Sequence, residues 1–138
     1  VEELKAGHGV LWVDGDDVGA GAILERLLLL GASEADVSNL FAYILPDEPL
    51  DQQILRDVLA IVRDCSCRLA GLDGFNPLLD LHGLDPNSGV EVERFYRLID
   101  PIRKMSIATV LTDNVVKSKE ARGAWDTPLL FLGRVAAI

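Results

Sequence analysis

The chain has 138 residues, 49% of them apolar, which is enough for one domain with a buried core and too apolar for a disordered tail. Its formal net charge of -9 excludes a wholly electrostatic nucleic-acid binder, so any contact with DNA has to be local or supplied by an oligomer. With no apolar run of about 20 residues and no signal-peptide pattern, neither a membrane span nor export is expected.

Beginning on Val1 rather than Met, the chain reads as a fragment or trimmed piece. Residues 1–6 read as the end of a helix with Glu2, Glu3 and Lys5 outward, broken by Gly7, His8 and Gly9. The run VLWV at 10–13 precedes the acidic turn of Asp14, Gly15, Asp16 and Asp17, as a buried strand delivering acids to its carboxyl end would. Ile23, Leu24, Leu27, Leu28 and Leu30 recur at helical spacing, with Gly31 placed to cap the C-terminus. Ser33 followed by Asp36 opens a short helix through Leu40. FAYIL at 41–45 is a second strand, stopped by Pro46.

Asp51 caps the next helix, whose apolar side carries Ile54, Leu55, Val58, Leu59, Ile61 and Val62. The central strand follows at 68–73 and ends on Asp73, with a turn of Gly74, Asn76 and Pro77 directly after it. A long loop is expected over 74–89, holding Asp80, His82, Asp85 and Asn87. A helical pattern covers 90–98, and Pro101 is expected to interrupt or restart it. A further buried strand spans 107–112 and ends in Asp113 and Asn114, before a polar loop with Lys117, Lys119 and Arg122. A last short apolar run lies at 129–132. Strands alternating with helices predict a single α/β domain over 1–138, with three α/β/α layers and a mostly parallel sheet.

Cys65 and Cys67 are the only cysteines. Without a second Cys or His pair at zinc spacing, they read as reduced thiols in a cytoplasmic protein. His8 and His82 stand far apart and form no ligand motif. The polar clusters instead fall where strands stop: Asp14, Asp16 and Asp17, then Asp73, then Asp113 and Asn114. Turn-forming Asp, Asn and Gly end many strands. If these strands are parallel neighbours, though, the clusters converge on one edge, and ligands of open α/β sheets bind outside the carboxyl ends of the strands.

The segments LWVDGDD (11–17), RLAGLDGFNPLLDLHGLDPNSGVEVERFYRLIDPI (68–102) and VLTDNVVKSKEARG (110–123) resemble the RecA-like ATPases, in particular the AAA-type ATPases related to plasmid replicative hexameric helicases. The resemblance reaches about Gly123 and implies a truncated P-loop NTPase core that uses ATP and Mg2+. It implies that Asp73 is the Walker B aspartate ordering water around magnesium, and that Asp16 activates the attacking water. It sets Asp113 and Asn114 at the end of the sensor strand. Lys117, Lys119 and Arg122 fall in the next loop, where bases meet phosphate, a neighbouring subunit or DNA. A homo-oligomer and a DNA partner are likewise what the resemblance implies.

The departures bear on activity. The sequence contains no GxxxxGK[ST] segment, which would supply the amide cradle and the phosphate lysine. Asp16 stands where the family usually has glutamate, and Asn114 where it tends to have histidine. In the family the phosphate-loop strand lies beside the sensor strand, so its loss leaves 107–112 with an unpaired edge, for 129–132 or a partner chain to cover. Three readings follow: a truncated or degenerate helicase-type ATPase core, inactive by itself; a non-catalytic binding or assembly module; and a metal-dependent hydrolase using Asp16, Asp73 and Asp113.

Overall fold

A computed structural model of the chain describes residues 1–112. The elements, in chain order, are α1 (Glu2–Lys5), β1 (Gly9–Asp14), α2 (Ala20–Leu29), α3 (Glu34–Leu40), β2 (Phe41–Ile44), α4 (Gln52–Asp64), β3 (Cys67–Asp73), α5 (Phe75–Leu81), α6 (Gly89–Arg103) and β4 (Ala108–Leu111). The four strands form one parallel sheet in the order β2-β1-β3-β4.

Local chemistry sets several of these boundaries. The Ser33 hydroxyl accepts the Asp36 amide at 3.0 Å, satisfying a donor that the first turn of α3 leaves free. The Asp51 carboxylate does the same for α4, accepting from Gln53 at 2.7 Å and Ile54 at 2.8 Å. β1 is buried along nearly its whole length, as a strand covered on both faces must be.

Successive strand residues point to opposite faces, and each face has its own core. On one, Leu11, Val13, Ala70 and Leu72 meet Val58 and Val62 of α4, Leu78 and Leu79 of α5, and Phe95, Ile99 and Ile102 of α6. On the other, Val10 meets Leu4 of α1, Ala32 between α2 and α3, and Val37 of α3, with Leu27 of α2 packed alongside. The result is an α/β fold with an all-parallel sheet, an arrangement compatible with three layers.

Two expectations are corrected. Residues 74–89 are not one loop, because α5 forms directly after β3. Pro77 is its third residue, inside the first turn, where an amide has no partner within the helix and its loss costs little. Leu78 and Leu79 are both fully buried and hold that turn against the sheet. Nor does Pro101 interrupt α6, which runs unbroken to Arg103. A proline inside a helix costs about 3 kcal/mol. Ile99 and Ile102 on either side of it are fully buried, each contributing about 1.5–3 kcal/mol. Tertiary burial on both flanks carries the helix through.

Candidate functional site

The connections from β1 and β3 leave the sheet on opposite faces. After β1 the chain passes through α2 and α3, which pack on the Val10 face; after β3 it passes through α5 and α6, which pack on the Leu11 face. Two neighbouring parallel strands whose connections part in this way open a crevice at their carboxyl ends, the usual ligand position in open α/β sheets. Asp14 and Asp73 are register partners at that point.

The turn after β1 folds over the end of β3. The Gly15 amide donates to the Asp73 carbonyl at 2.7 Å, and a Cβ on Gly15 would lie 2.7 Å from that same oxygen. Only glycine fits so close an approach. Gly74 adopts φ 77°, in the left-handed region, and a Cβ there would lie 2.5 Å from Asp16 Oδ1. The Asp16 carboxylate therefore rests against the residue that follows Asp73, and both acids are half-buried. Asp16 and the carboxyl end of β3 are thereby neighbours at one rim of the sheet.

β4 is tied to the same rim. The Thr112 hydroxyl donates to Asp73 Oδ1 and its amide to the Leu72 carbonyl, while the Phe75 amide donates to the Thr112 carbonyl. Thr112 thereby orients the Asp73 carboxylate. In the sequence Thr112 stands out only as the end of a strand.

Asp14 has a different role from its neighbours. It is fully buried, and its Oδ2 accepts from the Tyr43 hydroxyl at 2.6 Å and from the Gly19 amide at 3.0 Å. Burial is the largest single influence on its carboxyl and pushes the pKa up. The Tyr43 hydroxyl and the amides of Gly19, Val18 and Asp16 together outweigh it, and hold Asp14 below the ordinary carboxylate range. The same bond, with desolvation and the charge of Asp14 behind it, pushes Tyr43 up to about 12. An ionised Asp14 thus holds Gly19, the far end of the 15–19 turn that carries Asp16. Nothing in the run FAYIL marks Tyr43 for this, because its partner lies 29 residues earlier.

Among the described residues no group of three or more His, Cys, Asp or Glu has the arrangement to hold a metal ion by itself. Asp16 and Asp73 offer oxygen donors to a hard cation, with other ligands left to water and to a substrate's phosphates. His8 is engaged with Glu3 at 2.8 Å, and His82 bridges the Leu78 carbonyl and the Leu50 amide, so neither histidine serves the rim. Two surface grooves lie elsewhere, one along α2 at Gly21, Leu24 and Leu28, the other at the amino-terminal end of the sheet at His8, Cys67 and Met105. Asp113, Asn114, Lys117, Lys119, Arg122 and the run 129–132 lie outside the described residues. No helix among the described residues is long and apolar enough to cross a membrane. No protein-family model matches the chain, and no curated protein matches it.

Proposed function

We propose that this chain supplies the carboxylate side of a RecA-like nucleoside triphosphatase core of the replicative-helicase type. The observation that carries the reading is the packing of the Asp16 carboxylate against Gly74, the residue after Asp73, beside the crevice between β1 and β3. Among the described residues β4 also lies at an edge of the sheet, the neighbour position that the resemblance reserves for a phosphate-loop strand.

On this reading the nucleotide is ATP, and Mg2+, when bound, neutralises charge developing on the transferred phosphoryl group. Asp73, oriented by Thr112, holds the cation through water, and Asp16 accepts a proton from the attacking water. Asn114 stands at the sensor position, and Lys117, Lys119 and Arg122 meet phosphate, a neighbouring copy in a homo-oligomer, or DNA. The setting is cytoplasmic.

The amide cradle and lysine of a GxxxxGK[ST] loop are absent from the 138 residues. They have to come from elsewhere, and the chain by itself is expected to show no ATP turnover. That same absence favours a second reading, a binding or assembly module that keeps the fold without the chemistry.

Paramagnetic Mn2+ as a probe for Mg2+ separates the two. On the first reading, Mn2+ selectively broadens the NMR amide signals of residues 15–16 and 73–75, and Asp73→Asn abolishes the effect. Uniform weak broadening across the acidic surface would reject it in favour of the binding module. Turnover of ATP by the isolated chain, lost in Asp73→Ala, would overturn the stated dependence on an outside phosphate loop.

A further inference from the structure

At the other end of β3, the chain's two cysteines flank Ser66. We infer that Cys65 and Cys67 form a redox-active dithiol that closes to an intrachain disulfide.

Ser66 has φ 50°, a left-handed value uncommon outside glycine. Helical backbone of either hand sets Cα atoms two residues apart at about 5.4 Å, from its rise, radius and twist. A disulfide needs roughly 4.4–6.8 Å between its Cα atoms. An ordinary strand would instead send the two side chains to opposite faces of the sheet. Here both meet the same core: Cys67 is a buried member of it and Cys65 packs against it. The turn is held from two sides, by α4 and by β1. The Ser66 amide donates to the Arg63 carbonyl at 3.0 Å, and the Gly9 amide to the Ser66 carbonyl at 3.3 Å. A Cβ on Gly9 would lie 2.2 Å from the Cys65 carbonyl oxygen, so β1 backs the turn closely.

The two thiols differ in access. Burial, and after it the neighbouring Cys65, pushes the Cys67 thiol up to about 11, so it is protonated at neutral pH. Cys65 is the more exposed and meets the reagent first. With a small disulfide such as oxidised glutathione as the oxidant, the Cys65 thiolate attacks one sulfur, forming a mixed disulfide and releasing one glutathione thiolate. Cys67 then gives up its proton, attacks Cys65 Sγ and expels the second glutathione. Two protein thiols are oxidised, and one glutathione disulfide becomes two glutathiones. The link ties the end of α4 to the start of the strand that carries Asp73 at its far end.

The test treats the folded full-length chain with oxidised glutathione and follows titratable thiols, intact mass and a non-reducing gel. The thiol titre is expected to fall from two to zero, with the mass reduced by two hydrogens, no retained glutathione and no crosslinked dimer. Dithiothreitol restores both thiols. Cys67→Ser is expected to stop at the mixed disulfide, with one glutathione on Cys65. Wild-type chain that keeps a bound glutathione, crosslinks between copies or leaves both thiols free overturns the proposal. The wild-type mass alone decides it should the variant not fold.

Discussion

Replacing Gly74 by alanine tests the geometry on which the rim depends. The residue sits at φ 77°, and a left-handed conformation costs a non-glycine residue about 1–2 kcal/mol. The added methyl would also meet Asp16 Oδ1 at 2.5 Å, Asp16 Cγ at 2.7 Å and the Asp16 amide nitrogen at 2.8 Å. The last is backbone, so a rotamer change does not relieve it, and overpacking of this kind costs about 1–3 kcal/mol. The total is about 2–5 kcal/mol. Gly83 is the control, because it has φ 64° but nothing within 4 Å of a Cβ. Gly83→Ala is expected to lose only the backbone part, about 1–2 kcal/mol. Urea denaturation of the two variants, followed by far-UV circular dichroism, reads the difference, provided the slopes agree. In an Asp16→Ala background the penalty at Gly74 is expected to shrink, because two of the three close contacts are gone. Equal losses for Gly74→Ala and Gly83→Ala would refute the packing of Asp16 on the end of β3, and the proposed site with it.

Further outcomes follow from the same contacts. Tyr43→Phe removes the strongest of the influences that lower the Asp14 pKa and leaves burial to raise it. An Asp14 held below 3.8 stabilises the fold above that pH and loses its contribution as pH falls through the folded value. The deficit of the variant is therefore full above pH 3.8 and narrows only below it, which denaturation midpoints followed from pH 7 down through the region below pH 3.8 can check. At the alkaline end, wild type loses the Tyr43 contribution between pH 10 and about 12, and the variant shows no such step. His82→Ala leaves the Leu50 amide and the Leu78 carbonyl without their shared partner. Leu50 is itself buried, so the expected cost is about 1–3 kcal/mol by urea denaturation, and no change would mean that water replaces the ring. Leu78→Ala is expected to cost about 2–5 kcal/mol, since Leu78 is 0% exposed in the core. Leu29→Ala, on a residue 80% exposed, should stay within about 0.5 kcal/mol. Similar melting temperatures for those two variants would contradict the placement of α5.

What the sequence determined by itself is what local pattern can carry. Apolar runs at 10–13 and 68–73 identified two strands, and Ser33 and Asp51 identified two helix starts, because a cap and its amides lie within three residues of each other. The acids after those strands were legible as a rim, since a parallel sheet sends equivalent strand ends to one side. α5 and the passage of α6 through Pro101 were not legible. At α5 the proline falls in a first turn that tolerates it and Leu78 and Leu79 are buried against residues far away in the chain, and in α6 the penalty of Pro101 is offset by Ile99 and Ile102 buried in the same way.

The division of labour among the acids belongs to the tertiary structure alone. Asp14, Asp16 and Asp73 carry the same functional group, and no property of the residues separates them. β2 brings Tyr43 beside Asp14 and makes it a buried support, and β4 brings Thr112 to Asp73. Strand order decides such pairings, and strand order comes from helices choosing a face of the sheet. That choice is made by packing between segments whose separation in the chain no local signal spans.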